Sequence, residues 1–309
     1  MPVKKTNKIK RTIQKAPKLK QLIDTKEGYA TSFDGTRIWY QTQGEGIPII
    51  LCNGLGCSLF FWKHIISHLK KNYRIIVFDW RCHGKSESTY DEEKMTVDAL
   101  TQDLRAVMTQ LKIKQAIIMG HSMGTQIMFN FYGKYPKKVL ALISCCSTFG
   151  KPMDTFYNSH TSKYVFAGLY IFNHLFPKVA NKIGFLLGKN PFYWQMGTAL
   201  RMLNPGLADR SAVKEYIEHF TSMDSAILTD FAKSLQDYNA EPTLKRVKVP
   251  TLIIAGEDDT FTPVWLSKKM HHLIPHSELM VIKKASHIAL IEQPALINLR
   301  IEKFLSEKL

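Results

Sequence analysis

Ser122, the adjacent Asp258 and Asp259, and His287 are the side chains whose types and order in the chain could perform nucleophilic chemistry. A serine hydroxyl is a poor nucleophile until a base takes its proton. That base is usually a histidine, held in one tautomer by a carboxylate. Ser122 lies in Gly120-His121-Ser122-Met123-Gly124, after the apolar run 116–119 and before 126–132. The run reads as a buried strand and the following stretch as a helix, which puts the serine at the apex of a sharp turn. Glycines on either side suit a turn with no room for Cβ atoms. Alone, Gly-x-Ser-x-Gly would arise by chance in roughly one of ten chains this long. Its weight therefore comes from what surrounds it.

The surrounding elements must bring three distant positions together. Continuous apolar runs at 48–52, 73–78, 116–119, 139–143, 251–255 and 279–282 read as buried strands, and 29–33 with 37–41 as a hairpin about Asp34-Gly35. Helical stretches fall between the runs, at 59–69, 97–111 (Thr96 as N-cap), 265–273 and from Pro294 to about residue 305. Strands alternating with helices indicate a parallel sheet covered on both faces. Open parallel sheets carry their active groups on loops at the strands' carboxyl ends. Four such loops hold useful groups: Asn53 to Gly56, Ser122, Asp258 with Asp259, and His287. His271, His272 and His276 fall within or after a helix, so His287 is the expected base; the residues themselves leave the two aspartates undecided.

The rhythm breaks between 148 and 240, where helical stretches rich in Phe, Tyr, Met and Leu are punctuated by Pro177, Pro191 and Pro205. Phe166, Tyr170, Phe172, Phe176, Phe185, Phe192, Tyr193, Trp194, Met196 and Met202 suggest an apolar pocket. Most of them are expected to form the insertion's own core and its seat on the sheet.

Residues 1–24 carry eight basic side chains against Asp24 alone, a net +7 of the chain's +16. That balance favours anionic partners, lipid headgroups or nucleic acid, and any nucleic-acid binding would be nonspecific. The expectation is a solvated basic tail, with a basic amphipathic helix on an anionic membrane surface as the alternative. There is no apolar core of a secretory signal and no run long enough to span a bilayer. The five cysteines (Cys52, Cys57, Cys82, Cys145, Cys146) lack metal-ligand spacing and are expected to be reduced thiols in a cytoplasmic protein, peripheral at most to the membrane.

From residue 28 onward the chain resembles the α/β-hydrolases with a helical lid. The motifs are Asn53-Gly54-Leu55-Gly56, the 79–86 loop, Gly120 to Gly124, Gly256-Glu257-Asp258-Asp259 with Pro263, and Ser286-His287 with Glu292-Gln293-Pro294. The resemblance implies a mostly parallel doubly wound sheet built from 28–147 and 241–309, an all-helical cap at 148–240, and a basic extension at 1–27. It implies Ser122 as nucleophile, Asp259 as orienting acid through Gly-x-x-Asp-x-x-x-Pro, and His287 as base. The backbone N–H groups of Leu55 and Met123 would form the oxyanion hole, with no cofactor or metal. Asn53 stands where the family commonly has histidine, and Ser286 where it often has glycine. For the 79–86 loop the expected role is structural. A serine at 122 argues against epoxide hydrolysis, for which the family uses aspartate. The expected activity is hydrolysis of a lipophilic carboxylic ester, such as a monoacylglycerol or lysophospholipid. Carbon–carbon bond hydrolysis, perhydrolysis or acyl transfer on the same triad, and a non-catalytic ligand receptor, are the alternatives.

Overall fold

The computed structural model describes residues 25–88 and 90–309, and the expected tail or membrane helix at 1–24 lies outside them. The first half comprises β1 (Lys26–Thr31), β2 (Arg37–Gln43), β3 (Ile47–Cys52), α1 (Lys63–Leu69), β4 (Tyr73–Phe78), α2 (Val97–Gln110), β5 (Ala116–His121), α3 (Met123–Lys134) and β6 (Val139–Cys145). Five α-helices follow: α4 (Ser162–Leu175), α5 (Pro177–Gly188), α6 (Tyr193–Ala199), α7 (Arg210–Ser222) and α8 (Ser225–Asp237). The chain closes with α9 (Glu241–Leu244), β7 (Thr251–Gly256), α10 (Val264–Leu273), β8 (Glu278–Ile282), α11 (Ala289–Glu292) and α12 (Pro294–Lys308).

The eight strands form one sheet in the order β1-β2-β4-β3-β5-β6-β7-β8. β2 pairs antiparallel with both neighbours, and from β4 to β8 every pairing is parallel. β1 starts at Lys26, inside the stretch expected to be an extension, because Lys26 pairs with Thr42 across the hairpin.

Alternate residues of the central strands feed two cores. Ile50, Ile76, Ile118, Leu142 and Ile253 pack with Leu104 of α2, Phe131 of α3 and Met270 of α10. Ile49, Ile75, Ile117, Ile143 and Ile254 pack with Ile65 of α1 and Ile301 of α12. Strands buried on both faces explain why the sequence reads as continuous apolar runs without alternation. All five cysteines are buried and none forms a disulfide.

Between β6 and β7 the chain leaves and re-enters the core at one point. Gly150 bridges Asn239, and the Ala240 N–H donates to the Phe149 carbonyl at 2.7 Å. The helices between seat on both cores, through Ala212 and Val213 of α7 on one side and Phe231 and Leu235 of α8 on the other. Of the ten Phe, Tyr, Trp and Met side chains singled out in this insertion, Trp194 is buried and five are half-buried, whereas Phe176, Phe185, Phe192 and Met196 are exposed. For Phe185 and the other exposed apolar residues of α4 and α5, the reason is how these two helices pack. α4 meets its neighbours with polar groups, Asn173 donating to the Ser225 carbonyl and His174 pairing with Asp230. α5 turns its small residues inward, Gly184 and Gly188 lying against Thr221 of α7.

The 79–86 loop is a structural tie. Arg81, fully buried, reaches Asp103 of α2 at 2.6 and 2.8 Å and Asp34 of the β1–β2 turn at 2.9 Å. Arg81→Met would leave the buried Asp103 carboxylate without its counter-charge. It is expected to lower the unfolding free energy by about 3–5 kcal/mol, as read by urea denaturation; a loss below about 0.5 kcal/mol would remove the tie from the account.

Candidate active site

β5 ends in the centre of the sheet, and Ser122 follows it with φ 51° and ψ −120°, a left-handed backbone that side-chain-bearing residues rarely adopt. Its flanking glycines are required by space. A Cβ on Gly124 would fall 2.1 Å from the Cys52 carbonyl oxygen, and one on Gly120 would fall 2.7 Å from the Thr125 nitrogen. α3 can therefore start tight against β3 and β5, and the hydroxyl projects from the carboxyl edge.

Parallel register brings the other loops to that edge. Ser122 Oγ lies 3.0 Å from His287 Nε2, and His287 Nδ1 lies 3.0 Å from Asp259 Oδ2. Asp259 Oδ1 accepts the N–H groups of Phe261 (2.9 Å) and Thr262 (2.8 Å), and Oδ2 accepts the Thr262 hydroxyl (2.7 Å). Burial alone would raise the Asp259 carboxyl, but its interaction with the His287 imidazole and these donors hold it below the usual aspartate value. An ionised carboxylate only accepts, so His287 Nδ1 carries the proton and Nε2 is left to accept from Ser122. Asp258, by contrast, is exposed.

His121, next to the serine, does not compete as a base. Its Nε2 donates to the His287 carbonyl at 3.0 Å, and burial first, then the neighbouring His287 imidazole, push its pKa down to about 3.

Leu55 and Met123 both border the cavity beside Ser122. Met123 opens α3, where backbone N–H groups have no partner within the helix. Leu55 and Gly56 are the central residues of a turn closed by the Cys57 N–H on the Gly54 carbonyl at 3.1 Å, which leaves the Leu55 N–H out of the turn's own bond. Gly56, at φ 69°, supplies the conformation this turn needs.

That loop is held from three sides. Asn53 donates to the Phe78 carbonyl at 2.7 Å and accepts from the Trp62 indole at 2.6 Å, so it braces the loop where the family commonly has histidine. The Gly56 N–H donates to His83 Nε2 at 3.2 Å, while His83 Nδ1 donates to the Arg81 carbonyl at 3.0 Å. From the insertion, His219 of α7 donates to the Gly56 carbonyl at 2.9 Å.

The His287 loop has its own brace. Buried Glu292 accepts the Ser286 N–H (2.6 Å), the Ser286 hydroxyl (2.8 Å) and the Asn204 N–H of the insertion (2.7 Å). Gly256 permits the approach, since a Cβ there would meet the Ala285 and Ser286 carbonyl oxygens at 2.5 Å. The structure brings together Ser122, His287 and Asp259, the last expected only through the family resemblance, whereas sequence reasoning gave no role to His83, His219, Thr262 or Glu292. His83 and His219 act on a loop distant in the chain, Thr262 and Glu292 through hydrogen bonds to residues a few positions away, and no spacing marks them.

Ser122 and His287 open on a cavity of about 620 Å³ walled by Val165, Phe166 and Leu169 of α4, Phe220 of α7, Leu235 of α8 and Phe261. A smaller apolar pocket adjoins it on the other side of His287, against Tyr216, Met196 and Leu200. A more polar cleft of about 690 Å³ beside Arg201, Glu257 and Asp258 reaches Asp259 but not Ser122. Among the described residues no His, Cys, Asp and Glu cluster could hold a metal, and no helix is long and apolar enough to cross a membrane.

Burial holds His83 neutral, its pKa pushed down to about 4. Its folded value lies below the unfolded value of about 6.5, so its contribution to stability is complete above pH ~6.5 and is lost as pH falls toward 4. The stability gap between wild type and His83→Asn should shrink by up to about 1.4 kcal/mol per unit over that window, as read from urea midpoints at stepped pH. A gap that stays constant from neutral pH down to about pH 4.5 would contradict a buried neutral His83.

Comparison with known proteins places this geometry. The chain is 23% identical to epoxide hydrolase 4 of Mus musculus over 283 residues, covering 89% of this chain and 77% of that protein. It is 26% identical to 3-oxoadipate enol-lactonase 2 of Acinetobacter baylyi over 266 residues, 84% of this chain and 89% of the lactonase. A thermophilic esterase from Thermogutta terrifontis superposes with a TM-score of 0.74 at 21% identity, over 91% of this chain and 98% of the esterase. The family model described as alpha/beta hydrolase fold matches residues 47–294, and the chain belongs to that family of α/β-fold hydrolases.

Proposed function

We propose that this hydrolase cleaves a lipophilic carboxylic ester through an acyl-enzyme on Ser122. The observation that carries the reading is the relay of 3.0 Å contacts from Ser122 Oγ to His287 to Asp259. His287 Nε2 takes the hydroxyl proton as Oγ attacks the carbonyl carbon, and the oxyanion accepts from the N–H groups of Leu55 and Met123. His287 then gives that proton to the leaving alkoxide as the C–O bond breaks. Water, deprotonated by the same imidazole, attacks the acyl-serine and releases the carboxylic acid. In this reading the α4–α8 insertion acts as a lid, and its contributions to the cavity wall receive the apolar part of the ester. The relationship to an epoxide hydrolase does not transfer that activity, because Ser122 offers a hydroxyl where the family's epoxide hydrolases use aspartate.

A chain-length series of p-nitrophenyl esters tests the reading. Burial of each added methylene is worth about 0.8 kcal/mol, so kcat/KM should rise about fourfold per methylene until the cavity is full. Ser122→Ala and Asp259→Asn should each lower kcat by about 10⁴-fold, and Asp258→Asn should leave it near wild type. Wild type inert on every ester, or an active Ser122→Ala, would overturn the reading. An inactive Asp258→Asn beside an active Asp259→Asn would reassign the acid.

A further inference from the structure

The apolar residues that fail to enter a core lie mainly on one part of the molecule. On α4, Tyr164, Ile171 and Leu175 recur at helical spacing and are 57–70% exposed. On α5, Val179, Ile183 and Leu186 recur at steps of four and three and are 45–58% exposed. Beside that second stripe runs a basic one, Lys178, Lys182 and Lys189, with Lys189 over the Phe185 ring at 4.2 Å. Soluble helices normally show the reverse arrangement, apolar inward and polar outward. Here α4 packs inward through Asn173 and His174 as well as Phe166, and α5 through small residues, so the exposure is built into how both helices pack.

Charge selects the occupant. Between Asp154 and Asp209 the chain has no carboxylate side chain and five cations: Lys163, Lys178, Lys182, Lys189 and Arg201. Two copies of such a face would bring like charges together, whereas an anionic bilayer satisfies both stripes, acyl chains the apolar one and headgroups the lysines. We propose that the outward faces of α4 and α5 dock on an anionic lipid bilayer. Val165 and Leu169, on the same helix, wall the cavity above Ser122, so a lipid ester could pass from the membrane to the serine beside α4. That consequence rests on the ester-hydrolase reading, but the docking itself does not.

Flotation of the full chain with vesicles tests this, using phosphatidylcholine alone or with about 30% phosphatidylglycerol. Wild type should float with the anionic vesicles and leave them as salt rises from about 0.1 to about 0.5 M. Leu175→Ser/Leu186→Ser, with residues 1–24 intact, should lower partitioning about tenfold or more. Lys182→Gln/Lys189→Gln should lower it about fivefold per lysine on anionic vesicles only, and gives a second reading if the apolar variant folds poorly. Equal partitioning of wild type and both variants, or no flotation of wild type, would overturn the proposal. So would a stable dimer in analytical ultracentrifugation that Leu175→Ser/Leu186→Ser dissolves. Turnover of p-nitrophenyl acetate by wild type, measured in parallel, reports separately on the ester-hydrolase reading.

Discussion

The left-handed backbone at Ser122 is held by the closest approach of main chain to main chain around the site, α3 against the ends of β3 and β5. A residue in that conformation costs on the order of 1–3 kcal/mol. The cost is tolerable because β5 is buried on both faces in mid-sheet and because Gly120 and Gly124 leave their neighbours room. If α3 moved outward far enough to admit a Cβ at Gly124, the hydroxyl would leave the reach of His287. The rest of the site presupposes this turn.

Around it, parallel register does the positioning. β3 lies on one side of β5, and β6, β7 and β8 follow on the other. One carboxyl edge thus collects Leu55, Ser122, Asp259 and His287 from loops far apart in the chain. Each loop is then fixed by buried polar groups: His83 and Asn53 for the 53–56 loop, Thr262 for Asp259, and Glu292 for the approach to His287. The insertion adds His219 on Gly56 and Asn204 on Glu292, so the helices above the site are tied to two of the loops that form it.

How much of this was legible in the sequence follows from what a linear pattern can encode. Buried strands announce themselves as apolar runs, and the expected bounds for β4 match the structure while the others fall within a few residues. Ser122 and His287 were readable because a residue just after a buried parallel strand has only one edge to occupy. Asp258 and Asp259 were not separable on spacing alone, since which of two neighbours turns inward depends on the bonds to Phe261 and Thr262. The outward faces of α4 and α5 were not legible in the sequence for a related reason. Periodicity reveals an apolar stripe but not its direction, and direction here is decided by Asn173, His174, Gly184 and Gly188 on the opposite sides.

Among the described residues, Ser122 is the one hydroxyl with a base at 3.0 Å whose other nitrogen is held by an ionised carboxylate. Reaction with a fluorophosphonate, followed by intact mass and peptide mass spectrometry, reads that directly. One adduct per chain, on the peptide bearing Ser122, formed at least about a hundredfold more slowly in His287→Ala, is the predicted result. No adduct, an adduct on another residue, or labelling as fast without the imidazole would contradict the assignment of Ser122 as an activated nucleophile.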